Sequence, residues 1–454
     1  IEVLLMEYKD TYFLNSNEAL MEALERNSVL APNGQVKAPQ LCYYDGEKLS
    51  NAPMYCINVP FEDFVKYFSK TKNRIPTVFH DQKNKKKDDQ FKKKIEKVNK
   101  KVNKKIDELE KKIKRLEPNF NDKKLRIFAF GCRETVLIKY IVQNIISAAK
   151  NLGYETYLHK QLNDMESCSK YHYLKSLYKF NPHITININH LNNNFLSEKV
   201  FNFVWFQDEM PILFADKKIE LRKRDHLIHL TKHLGSFIKK RNTTSFYQPF
   251  CIDRNIYKIK KNKIKNHKIV FIGNSYQKKY ADIQHNKKNM ILFKLFKMIL
   301  NNGYMIYKER KIFEKKYNIT RNEIGAIINF IERDLLLKYI INLNLDYEIE
   351  VYGYGWEYDK EISKYYKGPL SYGEDISKIY NSAKYGLVLG GYIMQQRTLE
   401  CAASGAIPLV FDARESGADS DHECFEESLL FFKKPDDLKE LLSQEYVKNL
   451  DCIV

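Results

Sequence analysis

The sequence GLVLGGYIMQQRTLECAASGAIPLVFD, residues 386–412, decides the fold of this chain. Residues 385–389 form an apolar run of strand length, residues 396–403 are mostly good helix formers, and residues 406–411 form a second apolar run. The small pair Ser404-Gly405 between them is a typical helix stop. Strand, loop, helix, glycine stop and strand in this order predict half of a parallel α/β sheet.

The loop and the first turns of this helix predict a site for an anion. Gly390 and Gly391 lie in the loop, and Arg397 and Glu400 lie near the start of the helix. A helix N-terminus offers unpaired N–H groups and a partial positive charge, and a guanidinium adds a second phosphate anchor. A carboxylate suits sugar hydroxyls better than phosphate, so Arg397 and Glu400 together predict a site for a nucleotide-sugar diphosphate. The alternative is that Glu400 only caps the helix or forms an ion pair.

Composition limits the class of protein. A length of 454 residues predicts about two to three domains, and 44% hydrophobic residues are enough for sizeable cores. No apolar run approaches the ~20 residues of a membrane span. The eight cysteines are scattered without a Cys-x-x-Cys pair, which favours a reducing cytoplasm over a disulfide framework or a zinc site.

The net charge of +19 is concentrated in two segments. Residues 83–117 hold 16 Lys/Arg against 7 Asp/Glu, and residues 254–268 hold 7 Lys/Arg and no acid. Because the rest of the chain is nearly balanced, the charge indicates two local basic elements. Peripheral contact with an anionic membrane surface stays open as an interpretation.

Residues 397–412, RTLECAASGAIPLVFD, resemble the donor-binding helix of GT-B glycosyltransferases, especially the spore-maturation-type and glycosyl transferase group 1 proteins. The resemblance implies an α/β fold of two Rossmann-like domains that face each other across a cleft. It also implies a nucleotide-sugar donor, no metal and no other cofactor. Glu400 matches the second of two family glutamates eight positions apart, the one that holds the donor ribose, whereas the first falls on Tyr392.

Alternating apolar runs and helical stretches from residue 125 onward predict two successive parallel sheets. The chain is accordingly divided into a small α+β accessory module (1–80), a charged helix (83–117), an N-terminal Rossmann-like acceptor domain (121–253), a basic linker (254–267) and a C-terminal Rossmann-like nucleotide-sugar domain (268–454).

The charged helix carries apolar residues at a heptad-like spacing over residues 91–116, with one stutter, and Pro118 ends it. One interpretation is a coiled coil that joins two copies of the chain in a homodimer or braces two domains. The other is a helix that packs on its own protein, and the spacing does not decide between them.

Polar residues follow the predicted strands of the N-terminal domain, where open parallel sheets bind their ligands. The motif WFQDEMP, which begins at Trp205, resembles the family motif Trp-Phe-His-Asp, with glutamine in place of histidine. We expect Gly131, Arg133 and Trp205 to line an acceptor cleft, in which Trp205 stacks on a sugar. A core position for Trp205 is the alternative. If the transfer inverts the anomeric centre, Asp208 or His190 is the candidate base.

The C-terminal domain supplies the remaining candidates. A strand delivers the small turn Gly273-Asn274-Ser275, whose backbone could approach a phosphate. In the family, a basic residue near this turn reaches the diphosphate, and a later loop runs along the nucleobase. The donor-binding residues implied by the resemblance are therefore Gly273, Asn274, Ser275, Lys279, Gly355, Tyr372, Arg397, Thr398 and Glu400.

Two further patterns are weak indications of a metal site. His226, His229 and His233 would share one face if they were helical, and Asp419 and Asp421 form an Asp-x-Asp pair. No acid or cysteine lies at ligand spacing from the histidines, and Asp-x-Asp is common by chance. An ordinary structural role is favoured for both, and no metal site is predicted.

The function predicted from these observations is metal-independent transfer of a sugar from a nucleotide-sugar to a hydroxyl of a surface glycan, lipid-linked glycan or protein acceptor. One alternative is a GT-B-fold nucleotide-sugar 2-epimerase. A second is a basic coiled-coil protein that binds nucleic acid or acts as a scaffold.

Overall fold

The computed structural model describes residues 11–13, 41–46, 56–58, 77–82, 85–131, 136–160, 170–214, 218–260, 266–303, 307–390, 395–414, 428–444 and 446. The chain divides into two compact units. The N-terminal unit comprises residues 1–229 and 237–246, and the C-terminal unit comprises residues 230–236 and 247–454.

The first 82 residues contribute a small parallel sheet in the order β1-β4-β2-β3. Its strands are β1 (Thr11–Phe13), β2 (Leu41–Gly46), β3 (Cys56–Asn58) and β4 (Thr77–Gln82). The amphipathic pattern of residues 61–68 predicts a helix, and these residues lie outside the described ones.

The charged segment forms one long helix, α1 (Lys85–Lys114). Val102, Ile106 and Ile113 of its apolar seam are buried, and the helix packs against α3 (Lys170–Phe180) of the same unit. An ion pair of 2.6 Å between Lys170 and Glu110 joins the two helices. The seam is therefore covered by its own chain from residue 102 onward, as the second interpretation of the heptad pattern expects.

The N-terminal unit is built on a six-stranded sheet in the order β10-β9-β8-β7-β5-β6, with parallel pairing from β6 to β9. Its elements are β5 (Arg126–Gly131), α2 (Val136–Asn151), β6 (Glu155–Lys160), α3, β7 (Ile184–Ile188), β8 (Phe201–Phe206), β9 (Asp225–His229) and β10 (Phe246–Tyr247). Helix α4 (Lys232–Lys240) contains residues of both units. The apolar β5, RIFAFG, is buried over five of its six residues, as expected for a central parallel strand with both faces covered.

The C-terminal unit contains a second six-stranded parallel sheet, in the order β13-β12-β11-β14-β15-β16. Its strands are β11 (Asn266–Ile272), β12 (Glu348–Tyr352), β13 (Tyr366–Gly368), β14 (Ala383–Val388), β15 (Ile407–Phe411) and β16 (Leu430–Phe432). Its helices are α5 (Gln277–Ala281), α6 (Lys288–Asn302), α7 (Tyr307–Tyr317), α8 (Arg321–Phe330), α9 (Leu336–Ile341), α10 (Glu374–Ser382), α11 (Gln396–Ala403) and α12 (Asp437–Leu442). The predicted fold class, α/β with two Rossmann-like sheets, is confirmed.

Helices cover both faces of this second sheet. The larger core includes Ile291 and Leu295 of α6 and Ile328 of α8, and the smaller one includes Tyr380 of α10 and Cys401 of α11. α11 lies so close to the sheet that a β-carbon on Gly386 of β14 would overlap the Cys401 sulfur. This close approach positions the start of α11 beside the end of β14.

The sequence of residues 321–341 predicts one continuous helix, but in the structure one π-helical turn, Ile331–Leu335, interrupts it. α8 begins with a capping box between Thr320 and Glu323, and α9 follows the π-turn directly. The π-turn buries two acids, Glu332 and Asp334. Such turns are rare and frequently occur at functional sites.

No helix within the described part of the chain is both long enough and apolar enough to cross a membrane.

Candidate functional site

The strand order of the C-terminal sheet defines where a ligand would bind. Within this sheet β11 is the first strand in chain order. β12 and β13 are added on one side of it, and β14, β15 and β16 are then added on the other side. Ligands of such sheets occupy the crevice beyond the carboxyl ends of the strands, at this point of reversal. Gly273 follows β11 and Gly390 follows β14, so the loops after these two strands flank the crevice.

The turn after β11, residues 273–275 and here named the β11 turn, is held from one side by the loop after β12. Trp356 donates from Nε1 to the Gly273 carbonyl at 2.6 Å, and the Tyr354 N–H donates to Asn274 Oδ1 at 3.0 Å. Gly353 has φ 133°, and a β-carbon there would overlap the Gly273 carbonyl oxygen. Only glycine allows the two loops to approach this closely.

The π-turn holds the β11 turn from the other side. The Asp334 carboxylate accepts hydrogen bonds from the Ser275 hydroxyl and from the Tyr276 N–H, the latter at 2.9 Å. Arg333 donates to the Asn274 carbonyl at 3.1 Å. Although these hydrogen bonds favour its charged form, burial dominates and raises the pKa of Asp334 to about 6.

Most of the N–H groups in and after the β11 turn are already used within the protein. The Ser275 N–H donates to the Tyr354 carbonyl, the Tyr276 N–H to Asp334, and the Gln277 N–H to Ser275 Oγ. The predicted contact between a phosphate and this backbone is therefore restricted by internal partners. Side chains near the turn are better placed to contact an anion.

Two cations lie against the ring of Tyr276, directly after the β11 turn. The Arg333 guanidinium carbon is 4.5 Å from the ring centroid, and Lys279 Nζ is 5.2 Å from it. The structure thus brings the predicted Lys279 together with Tyr276 and Arg333, two residues that sequence reasoning missed. A signal for Arg333 was present, because the charged run Glu332-Arg333-Asp334 interrupts an otherwise apolar helix.

Glu332 connects the π-turn to the other side of the crevice. It is 1% exposed, and its Cβ lies 3.6 Å from where a β-carbon on Gly390 would be. Arg310 approaches its carboxylate at 3.9 Å. On the same loop, the side chain of Gln395, the N-cap of α11, donates to the Gly390 carbonyl. One π-turn therefore contacts both loops that flank the crevice.

The first turns of α11 hold Arg397 and Glu400 as an ion pair. The Arg397 side chain is 29% exposed, whereas Glu400 is 0% exposed. Desolvation opposes the charge of Arg397, but the adjacent Glu400 carboxylate raises its pKa above the ordinary value. The guanidinium therefore stays charged at the start of the helix, where an anion is favoured.

Buried polar side chains surround the Glu400 carboxylate. Gln396 donates to it at 3.0 Å and also donates to the Tyr372 hydroxyl. Burial raises the pKa of Tyr257, and the nearby charge of Glu400 raises it further. In this conformation Glu400 acts as the partner of Arg397 and Gln396, and a ribose would reach it only after Gln396 or Tyr372 had moved.

The remaining donor candidates divide between the surface and the core. Lys279 is exposed. Gly355, with φ 91°, lies beside Ser275, whose Cβ is 3.2 Å from a β-carbon built on that glycine. Thr398 is fully buried in α11. Gly391 and Tyr392 lie outside the described residues.

The N-terminal unit places Asn189 and Asp208 together at the carboxyl ends of β7 and β8. Asn189 has φ 64° and donates from Nδ2 to Asp208 Oδ2 at 2.7 Å. Its Oδ1 accepts from the Gln207 N–H at 2.8 Å. Asp208 is exposed, whereas His190 is 9% exposed. Of the two predicted bases, Asp208 is the one positioned at the surface, by an asparagine that the sequence analysis did not assign.

The predicted acceptor-cleft residues are less exposed. Trp205 is 6% exposed in the core of β8, which agrees with the alternative of a structural tryptophan. Gly131 ends β5 and is buried, and Arg133 lies outside the described residues.

The histidine pattern has a structural explanation. His226 and His229 lie on strand β9, whereas His233 lies on α4. The His226 ring stacks on Phe203 at 5.1 Å, and His229 Nδ1 lies 2.8 Å from the Ser245 hydroxyl. Within the described residues, no cluster of three His, Cys, Asp or Glu could hold a metal ion. The pair Asp419 and Asp421 is not among them.

Comparison with known proteins gives one family match, over part of the chain. Residues 333–450 match the family model described as "Glycosyl transferase-like". This segment includes Arg333, β12 to β16 and α11. The predicted resemblance to glycosyltransferases is therefore confirmed over these residues, as is glycosyl transfer as the general class of reaction. No curated protein matches the chain.

Two solved structures are distantly similar to the chain. One is AviGT4, a glycosyltransferase involved in avilamycin A biosynthesis, with 10% identity and a TM-score of 0.40; the match covers 72% of this chain and 90% of that chain. The other is a glycosyltransferase from Rickettsia africae ESF-5, with 9% identity and a TM-score of 0.39, over 71% of this chain and 88% of that chain. Scores this low carry no weight for function.

Proposed function

We propose that this protein transfers a sugar from a nucleotide-sugar donor to a hydroxyl of a surface glycan, a lipid-linked glycan or a protein acceptor. The observation that supports this most strongly is the position of Arg397. It is a charged, partly exposed guanidinium on the first turn of α11, at the reversal point of the sheet, within the segment that matches the glycosyltransferase-like model.

The main catalytic demand of such a transfer is the departing diphosphate. The leaving group gains negative charge while the anomeric carbon becomes electron-poor, so fixed positive groups aimed at the diphosphate stabilise the transition state. Arg397 and the N-terminus of α11 would supply this charge from one side of the crevice, and Lys279 from the other. We propose that these groups take the place of a metal ion.

Glu400 contributes to this site through Arg397. Its buried carboxylate fixes the guanidinium in one orientation, and preorganised groups stabilise a transition state without reorganising during the reaction. The proposed contact of Glu400 with the ribose adds to this role once a donor displaces Gln396 or Tyr372. The nucleobase is proposed to lie along the loop that contains Tyr372.

The acceptor hydroxyl is proposed to bind the N-terminal unit near Asp208. The hydrogen bond from Asn189 fixes the Asp208 carboxylate, and a fixed carboxylate at hydrogen-bond distance is a suitable base for an inverting transfer. A retaining transfer would not need this base. Replacing Asp208 by Asn distinguishes an inverting from a retaining transfer, because only an inverting enzyme would lose most of its turnover.

A thermal-shift screen against UDP-, GDP-, CMP- and dTDP-sugars tests the proposal. We expect one nucleotide class to stabilise the protein, and we expect Arg397→Ala to abolish that shift. Lys338→Ala is the matched control, because Lys338 is also a cation in ion pairs, with Asp359 at 3.0 Å and Glu361 at 3.2 Å. A panel without any shift, combined with DNA affinity that falls steeply with salt, would instead support the nucleic-acid-binding alternative.

A further inference from the structure

Helix α6 of the C-terminal unit is apolar on its outer side as well as on the side that faces the core. Its sequence, KNMILFKLFKMILNN, contains lysines but no Asp or Glu. Ile291, Leu295 and Ile299 are buried in the larger core, and the other apolar residues are spread around the rest of the helix. Because a helix that is apolar all round is normally covered on all sides, the outer side of α6 indicates a contact with a further partner.

The outer side of α6, here named the α6 face, is formed by Met290, Phe293, Lys294 and Lys297. These residues are three or four positions apart and are therefore neighbours on the helix surface. Met290 is 39% exposed and Phe293 is 68% exposed, and both lysines are exposed. Single exposed apolar side chains are ordinary, whereas large ones side by side mark an interaction surface.

Lysines gather at the edge of the α6 face around Tyr317, the last residue of α7. Lys294 donates to the Tyr317 hydroxyl at 3.0 Å, and Lys316 Nζ lies 5.9 Å from the centroid of the Tyr317 ring. The hydrogen bond from Lys294 lowers the pKa of Tyr317, and the charges of Lys294, Lys316 and Lys287 lower it further. Two helices and the N-cap of α6 therefore place three positive charges within one small area.

Exposed apolar side chains beside lysines match the surface of an anionic bilayer. Phenylalanine and methionine can enter the boundary of the acyl chains, while the long lysine side chains reach the phosphates of the headgroups. Each lysine near such a surface adds to the attraction. A second copy of the chain fits less well, because a symmetric contact would place the same lysines on both sides of the interface.

We propose that the α6 face, together with Lys287 and Lys316, docks the C-terminal unit on the surface of an anionic lipid bilayer. Met290 and Phe293 enter the headgroup boundary, and the lysines contact lipid phosphates. The surface lies outside both basic segments found in the sequence. The proposal goes beyond the proposed function and does not depend on it.

Helix α7 connects this surface with the crevice of the same unit. Arg310, near the start of α7, approaches Glu332 of the π-turn at 3.9 Å, and Tyr317 ends the helix. The seven residues from Arg310 to Tyr317 span about 10 Å. A docked unit would therefore hold its crevice near the bilayer, which favours a lipid-linked glycan among the proposed acceptors. This last step rests on the proposed function.

The experiment is co-sedimentation of the full chain with vesicles of phosphatidylcholine, alone or with about 30% phosphatidylglycerol. We expect binding to the anionic vesicles, weakened by added salt. Phe293→Ala is expected to weaken this binding about tenfold, because the apolar area that enters the bilayer is lost. Replacing Lys294 and Lys297 together by Gln is expected to weaken it about tenfold or more.

Matched control variants remove the same groups elsewhere in the chain. Phe246→Ala removes a phenylalanine that is 64% exposed in the N-terminal unit. Replacing Lys101 and Lys104 of α1 together by Gln removes two exposed lysines at the same spacing as Lys294 and Lys297. Both controls should bind anionic vesicles as the wild type does. All of these side chains are exposed, so every variant should keep the wild-type urea midpoint.

The proposal is overturned if the wild type does not bind anionic vesicles, or if Phe293→Ala and the Lys294 and Lys297 variant bind them as the wild type does. Equal weakening by the Lys101 and Lys104 variant would assign the binding to the charge of the whole chain and would also overturn it. A wild-type dimer that Phe293→Ala dissociates, without any vesicle binding, would assign the α6 face to a second copy.

The proposed function is judged separately, because nucleotide-sugar binding is measured without vesicles. If a nucleotide-sugar stabilises the protein but anionic vesicles do not bind it, the docking surface is wrong and the proposed function stands. If vesicle binding needs Phe293 but no nucleotide-sugar binds, the docking surface stands and the proposed function is wrong.

Discussion

Replacing Asp334 by Asn should change the pH dependence of stability of the C-terminal unit. Asp334 is 5% exposed, and burial raises its pKa from 3.8 to about 6. Because the folded state binds the proton more tightly than the unfolded state, the contribution of this carboxyl to stability is complete below pH 3.8. It is lost as the pH rises through about 6.

The expected size of the effect follows from the shift in pKa. At about 1.4 kcal/mol per unit, ionisation of Asp334 costs on the order of 3 kcal/mol of folding free energy over the full range. Between pH ~4.5 and ~7.5 the loss amounts to about 2 kcal/mol. The asparagine variant does not titrate, so its stability relative to the wild type should rise by about that amount over this interval.

Urea unfolding followed by tryptophan fluorescence can measure this change. The chain has two tryptophans, and a Trp205→Phe background leaves Trp356, buried in the C-terminal core, as the reporter of that unit. The control is Asp412→Asn. Burial opposes the charge of Asp412, but its hydrogen bonds with Arg414 lower its pKa overall, so its titration falls below the interval.

The free-energy difference between Asp412→Asn and the wild type should therefore be flat across these pH values. The reasoning is refuted if the Asp334→Asn difference is equally flat. It is also refuted if that difference falls with rising pH, since this would mean that the fold lowers the pKa of Asp334.

Three further substitutions test other parts of the structure. Gly353→Ala should cost more than about 2 kcal/mol, because φ is 133° and the new β-carbon overlaps the Gly273 carbonyl; a urea midpoint near that of the wild type would contradict this. Ile113→Ala should cost about 2–5 kcal/mol, since the side chain is fully buried; a cost that depends on protein concentration would show that a second copy covers it. Glu400→Gln should cost about 2 kcal/mol and weaken donor binding, because the Arg397 guanidinium loses its buried partner; unchanged donor affinity in calorimetry would reject the positioning role.

Local sequence signals predicted the C-terminal sheet well where glycine or proline marks an element's end. The helix-forming residues 396–403 and the run EIEVY, residues 348–352, which predicts a strand, form a helix and a strand with these same bounds. Both are followed by a glycine or a Ser-Gly stop, which fixes the end of an element in the sequence itself. Helix α3 and strand β9 were missed. Asn181-Pro182 follows α3, but lysine, histidine and serine interrupt its apolar residues, and β9, DHLIH, has two adjacent apolar residues and no glycine or proline directly after it.

The candidate site was only partly predictable. Arg397 and Glu400 were identified from their position on a crossover helix. The contact of the buried Glu400 with Tyr257, and that of its partner Gln396 with Tyr372, join residues that are distant in sequence. The role of Arg333 depends on a π-turn, and apolar periodicity does not distinguish one π-turn from continuous α-helix. Contacts of this kind arise only when the whole sheet is assembled.

The central claim, that the crevice around Arg397 binds and activates a nucleotide-sugar, is tested most directly by measuring nucleotide release. The full chain is incubated with UDP-, GDP-, CMP- and dTDP-sugars, and the freed nucleotide is quantified by mass spectrometry for the wild type and for Arg397→Ala. We expect release from one nucleotide class, reduced at least tenfold by the substitution. Release that is the same in both proteins, or none from any donor that binds, would contradict the claim.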